Sequence, residues 1–237
     1  MRFEKKCLFA AGALLLSCQV AALPALQLDI LGGTYVGGSE ESTITTDPQF
    51  TLRALLKDTT SDATYRVSVA LLPHLDSEPA TPPDFGSFVA DGVTYDIDDM
   101  LWGTPPADFG VVDPNAGLAP HGVFDAYFLE LDAAFDSSRV VSAYNTEDAS
   151  DQPNLDLMYT DFVFDVSELG AGYQLHFDFY QYTFDSADTK KKTKTVIRKA
   201  PFSHDAATDV TVPEPGIIAL LGVGLVGIGA ARGRRLS

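Results

Sequence analysis

Cysteine is almost absent from this 237-residue chain, and its two copies both lie near the N-terminus. They are Cys7 and Cys18, inside a segment that has the features of a cleavable leader. If that segment is removed, the mature protein contains no thiol. Disulfide bonds, thiolate catalysis and cysteine-bound zinc or iron–sulfur centres are then excluded together.

Basic residues are scarce between the two ends. Residues 23–212 hold 31 Asp and Glu against 10 Lys and Arg, and Arg139 is the only base from Val67 to Thr189. The whole chain carries a formal net charge of −17 at pH 7. A surface of this sign repels phosphate backbones, so nucleic-acid binding is excluded and neutral or cationic partners are favoured.

The N-terminus has the three parts of a secretory signal peptide. Residues 1–6 carry three basic side chains, an apolar run of about ten residues follows, and small residues end the segment. The run is too short to span a bilayer. We expect the Sec translocon to export the chain and signal peptidase to cleave after Ala22, so that residues 1–22 are removed. A lipobox-like sequence at 15–18, with a lipid on Cys18, is the alternative.

The C-terminus, residues 212–237, combines a proline motif, a short apolar run and a basic end. The motif occupies 213–215, the uncharged run 216–231 and the basic end 232–237. We expect the run to form a membrane helix, and the arginines favour the cytoplasm, so the preceding residues would face outward. The motif and its neighbours are Val212, Pro213, Glu214, Pro215 and Gly216, and the basic residues are Arg232, Arg234 and Arg235.

This order of elements resembles the PEP-CTERM tail of Gram-negative bacteria. The resemblance implies that an exosortase, a membrane-embedded protease, recognises residues 213–215. It also implies a link with exopolysaccharide and biofilm matrix. The expected location is the inner membrane during sorting, and then the cell surface or extracellular matrix.

The residues between the two ends, 23–211, read as an all-β domain. Short runs of alternating apolar and polar residues are separated by Gly pairs or Asp-Pro, which indicates antiparallel strands. We predict a β-sandwich, of which a jelly roll is one form. Within residues 173–184 the apolar positions change parity at Tyr180, which predicts a β-bulge or a crossing between sheets.

Three segments of this domain are similar to the "choice-of-anchor N" proteins. They lie at 23–30, 120–131 and 200–206. Members of that family share one domain with differing surface anchors, so the resemblance implies a role that requires display at the surface. It brings no known activity.

Calcium is the one cofactor that the acidic composition suggests. Asp96, Asp98 and Asp99 place three hard oxygen donors in one short stretch. The stretch matches no EF-hand, and an acidic solvated surface explains the same residues. We otherwise expect no cofactor.

Other candidate sites are weaker. His176 and Asp178 share one face of a strand and could bind a metal, although a polar outer face predicts the same pair. The run at 203–205 has the residue types of a catalytic triad, but consecutive side chains point apart and cannot form it. Trp102 lies in a proline-rich stretch suited either to binding or to packing as a hydrophobic plug.

The sequence therefore predicts a non-catalytic, surface-displayed module that associates with exopolysaccharide or biofilm matrix. Two other classes stay open. One is a secreted carbohydrate-active hydrolase, which requires a pair of carboxylates across a cleft. The other is a structural matrix subunit that assembles with itself.

Overall fold

The computed structural model describes residues 23–37, 42–59, 63–107, 124–185, 194–200 and 205–209. Within these ranges the chain forms fourteen β-strands and one 3-10 turn at Ile97–Asp99, so the predicted all-β fold is confirmed. No helix in these ranges has the length and apolar composition needed to cross a membrane. The predicted signal peptide and membrane helix lie outside the described residues.

The strands are β1 Leu26–Ile30, β2 Thr34–Val36, β3 Ser42–Thr45, β4 Gln49–Leu56, β5 Thr64–Leu72, β6 Phe88–Ala90, β7 Val93–Tyr95, β8 Leu101–Gly103, β9 Ala126–Asp132, β10 Val140–Tyr144, β11 Asp151–Asp165, β12 Gln174–Asp185, β13 Lys194–Lys199 and β14 Asp205–Thr208.

These strands form two sheets. Sheet A has the order β1-β4-β11-β6-β7, with β10 also paired to β11, and sheet B has the order β2-β3-β14-β12-β5-β9-β8, with β13 also paired to β12. The pairing is antiparallel except between β14 and β3, which run parallel. The predicted antiparallel arrangement is thus correct apart from this pair.

Apolar side chains from both sheets form the main core. Phe50 and Phe164 of sheet A stack with ring centroids 5.3 Å apart, and Phe177 of sheet B lies 5.0 Å from Phe164 and 6.0 Å from Phe50. Successive side chains of a strand point to opposite faces, so alternate apolar residues of each strand reach this core. The two sheets therefore pack face to face, as a sandwich does.

Strand β12 crosses the middle of sheet B without the predicted bulge. Its register with β5 is unbroken from the pair Gln174–Leu72 to the pair Tyr182–Thr64. The prediction was wrong because the outer face of this strand, turned away from sheet A, is buried as well. Tyr180 and Tyr182 lie on that face and are only 0% and 4% exposed. Aromatic residues on both faces look like a change of parity in the sequence.

Candidate functional site

A pocket of about 220 Å³ opens beside β8, at one edge of sheet B. Trp102 lies on this short strand and not in a loop, and it is paired with Tyr127 of β9. The two rings meet edge to face with centroids 5.1 Å apart. Trp102 also packs against the main core, as the predicted hydrophobic plug would, and a binding role for it stays a prediction. The lining residues are Leu71, Pro73, Leu75, Pro83, Trp102, Ala126, Tyr127, Ala171, Gly172 and Tyr173.

The proline-rich segment that follows β5 forms one wall of this pocket, and backbone hydrogen bonds hold it in place. Gly170 N donates to the Phe85 carbonyl at 2.7 Å, and Ser87 N donates to the Glu168 carbonyl at 3.2 Å. The Phe85 ring is fully buried, 6.4 Å from the Tyr173 ring. The turn that precedes β12 therefore holds this wall in position.

The polar groups of the pocket are few. Burial, and then the negative charge of the exposed Glu78, raise the pKa of the Tyr127 hydroxyl above its usual value. Tyr127 therefore keeps its proton at neutral pH and can donate a hydrogen bond. An apolar, aromatic lining with a small number of such groups is the usual composition of a small-molecule site.

A second group of side chains, which are ionisable and can ligate a metal, lies on the outer face of sheet B. His176 and Asp178 belong to β12, and Asp205 belongs to β14, which pairs with β12 at His176 and Phe177. His176 Nε2 lies 3.5 Å from Asp178 Oδ2 and 4.0 Å from Asp205 Oδ2. All three residues are buried, with exposed fractions of 5%, 3% and 1%. The predicted pairing of His176 with Asp178 is thus present, but on a buried face.

Two further residues adjoin this triad of His176, Asp178 and Asp205. Ser68 of β5 is paired directly with Asp178, and Lys199 of β13 is paired with Tyr180. Burial, and then the charge of Asp178, raise the pKa of Asp205 well above its ordinary value. Burial lowers the pKa of Lys199, while the charges of Asp178 and Asp205 act in the opposite direction. The surrounding protein therefore shields the three side chains of the triad from water, whereas Lys199 is only half-buried.

A separate ionic network lies farther along the same face. Arg66 of β5 contacts Glu130 at 3.1 Å and Asp132 at 3.0 Å, both on β9. The Tyr180 hydroxyl donates to Glu130, and burial, followed by the charge of Glu130, strongly raises the pKa of Tyr180. These contacts join β5, β9 and β12, and both partners of Glu130, Arg66 and Tyr180, belong to the same sheet.

The predicted calcium residues form a backbone turn. The Asp96 carboxylate accepts a hydrogen bond from Asp98 N at 2.8 Å, and the Asp99 carboxylate accepts one from Asp96 N at 3.0 Å. This reciprocal arrangement caps the 3-10 turn. All three side chains are exposed. Calcium binding here stays a prediction.

The predicted cleavage point at Ala22 and the sorting residues lie outside the described residues, but a comparison with known families tests the tail. The PEP-CTERM protein-sorting motif matches residues 211–235. The C-terminal segment is a PEP-CTERM sorting signal. It contains the predicted motif at 212–216 and the three arginines of the basic end. The PEP-CTERM motif supports export and sorting by an exosortase.

No curated protein matches this sequence. Because the PEP-CTERM match is confined to the tail, the similarity of residues 23–211 to the choice-of-anchor N proteins stays a prediction.

Several of the site residues cannot be found from the sequence. Asp205 has a local signal only as part of the run 203–205, and Ser68 has none. Tyr127 and Tyr173 carry no local signal that distinguishes them from other strand aromatics. The neighbours of Asp205, Ser68 and Tyr127 are set by strand pairings between distant parts of the chain.

Proposed function

We propose that this exported protein is a non-catalytic surface module that binds extracellular polysaccharide in the pocket beside Trp102. Export would run through the Sec translocon and signal peptidase, and the PEP-CTERM signal would then bring the chain to an exosortase. The module would finally reside at the cell surface or in the biofilm matrix. The pocket is the observation that carries the proposal.

The aromatic lining suits a sugar ring. Aromatic side chains offer flat apolar faces against which the C–H groups of a sugar can pack, and Trp and Tyr add a polar group at the edge. Trp102, Tyr127 and Tyr173 all line the pocket. Its volume of about 220 Å³ is below the range of about 300–1,000 Å³ typical of drug-sized ligands. We therefore expect one sugar ring of a chain, at an end or a branch, to enter.

The charge of the protein narrows the class of polysaccharide. With a net charge of −17, the chain would repel a polyanionic glycan at low ionic strength. Neutral glycans are therefore the expected ligands. Among the residues that line the described pocket none is Asp or Glu, so the pocket offers no carboxylate pair for the hydrolase alternative.

Binding can be tested with the full-length protein on a glycan array, with and without calcium, followed by titration of the best neutral glycan. Replacing a buried aromatic contact commonly weakens binding by about 2 kcal/mol or more. Trp102→Ala should therefore weaken binding by a factor of about 30. Leu101→Ala is the matched control, because Leu101 is 56% exposed on the same strand and is not among the lining residues.

Several outcomes would refute the proposal. One is the absence of glycan binding by the wild-type protein both with and without calcium, and another is equal affinity of Trp102→Ala and Leu101→Ala. Trp102→Phe, which keeps an aromatic ring against the core, checks that lost binding does not reflect unfolding. Concentration-dependent assembly at micromolar protein without glycan would favour the structural subunit instead.

A further inference from the structure

Three strands that are distant in sequence bring His176, Asp178 and Ser68 together with Asp205. His176 and Asp178 project from the same face of β12, since they are two residues apart. Strand β14 pairs with β12 so that Ala207 faces His176 and Ala206 faces Phe177. One step along this register, Asp205 faces Asp178. On the other side of β12, Ser68 of β5 also faces Asp178.

The distances within this group suit a single bound cation. One ligand atom from each of His176, Asp178 and Asp205 can be chosen so that all lie within 4.8 Å of one another. His176 Nε2 stands 3.5 Å and 4.0 Å from the nearer carboxylate oxygens. Ligands held at about 2.0–2.2 Å from a tetrahedral Zn²⁺ stand about 3.3 Å apart. Small side-chain rotations would therefore bring the three atoms to coordinating positions.

Ser68 gives independent evidence that a polar ligand occupies the space beside the triad. Its side chain is 0% exposed, and its Oγ atom has no hydrogen-bond partner among the described residues. A buried hydroxyl is normally hydrogen-bonded, because leaving it unpaired is costly. Ser68 lies directly opposite Asp178 and on the same face. Its hydroxyl is positioned to bond a carboxylate or water molecule that is itself bound to a metal.

We propose that His176, Asp178 and Asp205 bind one divalent transition-metal ion of the Zn²⁺ type, with Ser68 in the surrounding shell. One imidazole nitrogen and two carboxylate oxygens suit Zn²⁺ better than Ca²⁺, which prefers an all-oxygen shell of six to eight ligands. The ion also offsets the repulsion of two carboxylates on a buried face. This site is separate from the Trp102 pocket, and the proposal does not depend on saccharide binding.

Lys199 is the competitor that the metal must displace. The charges of Asp178 and Asp205 act on its ammonium group, and its side chain is only half-buried. A long flexible side chain in this position can move toward water when a dication enters. Removing Lys199 should therefore strengthen metal binding, whereas a cluster built around a lysine ion pair would bind no metal in either form.

The metal would secure the last described strand of the domain. Strand β14 is four residues long and is followed closely by the PEP-CTERM match that begins at residue 211. Coordination of Asp205 together with His176 and Asp178 would tie this strand to β12. Metal coordination would then hold the attachment point of the sorting tail more firmly than the few hydrogen bonds of this short strand can alone.

The test is metal analysis of the full-length protein. The protein is stripped with a chelator, dialysed and titrated with Zn²⁺, and its bound metal is measured by mass spectrometry. We expect one equivalent in the wild type. Loss of a second-shell partner alone lowers metal affinity about 10- to 100-fold, so Asp178→Asn and Asp205→Asn should lower it at least tenfold. Lys199→Met should raise it, and His74→Gln, which changes an exposed histidine, should leave it unaltered.

Clear results would overturn the assignment. The wild type would bind less than a tenth of an equivalent of Zn²⁺, or Ca²⁺ would compete equally with Zn²⁺. Unchanged Zn²⁺ affinity in both Asn variants, or no increase of that affinity in Lys199→Met, would also overturn it. If the Asn variants fail to fold, Co²⁺ added to the wild type decides. Visible absorption stronger than that of the hydrated ion is expected for coordination by the protein, and an unchanged spectrum would refute it.

Discussion

Replacing Gly86 by alanine should destabilise the protein much more than the same change at Gly92. Both glycines have positive φ angles, 79° and 80°, so both substitutions force an L-residue into the left-handed region. That penalty is about 1–2 kcal/mol at each position. The two sites differ in the space around the new methyl group.

A Cβ atom at Gly86 would lie 2.2 Å from the Glu168 carbonyl oxygen, whereas at Gly92 it would meet no atom within 4 Å. The obstacle at Gly86 is backbone, and relieving the clash requires the segment to move away from its bridge with Leu169. Overpacking of this kind adds about 1–3 kcal/mol. We therefore expect Gly86→Ala to cost about 2–5 kcal/mol and Gly92→Ala about 1–2 kcal/mol.

Thermal and urea unfolding of the two variants and the wild type would measure this difference. For a protein of this size 1 kcal/mol shifts the Tm by about 2–4 °C, so Gly86→Ala should melt about 2–12 °C below Gly92→Ala. Because Gly86 supports the wall of the Trp102 pocket, its variant should also bind glycan more weakly. Equal stability of the two variants, within about 0.5 kcal/mol, would refute the reasoning.

Two other perturbations follow from the core and from a half-buried acid, Asp29. Burial holds the pKa of Asp29 above its ordinary value, so the stability due to its protonated form is lost as the pH rises from about 4 through the folded-state pKa. The free energy of unfolding of Asp29→Asn, measured with urea at several pH values, should therefore increase relative to that of the wild type as the pH rises. A difference between the two proteins that does not change with pH would contradict this. Phe177→Ala removes a fully buried ring that packs edge to face against both Phe50 and Phe164 and should cost about 3–5 kcal/mol. Val163→Ala, at a side chain that is 59% exposed, should cost less than about 1 kcal/mol, and similar losses in both variants would contradict the described packing.

Much of the fold could be predicted because strands leave a local signal. The alternation at Leu175, Phe177 and Phe179 reflects one face turned toward the core, and the structure confirms it. The same rule failed at Tyr180, since it assumes that the opposite face is polar. Both faces of β12 are buried along much of its length, and composition alone cannot reveal that.

The candidate sites were less predictable than the fold. Trp102 stood out as the single tryptophan, but its partner Tyr127 is fixed only by the pairing of β8 with β9. The pair of His176 and Asp178 was visible because both lie on one strand. Its reading as a solvated outer face was wrong, because a strand sequence does not say what covers its polar side.

The sequence by itself determined the sorting signal, because the PEP-CTERM match lies in one continuous segment, residues 211–235. It also determined the acidic charge and the all-β class, which follow from composition and short-range alternation. Only the tertiary structure decided the triad of His176, Asp178 and Asp205 with Ser68 beside it. Those residues come from β5, β12 and β14, and only the pairing of these distant strands places them on one buried face.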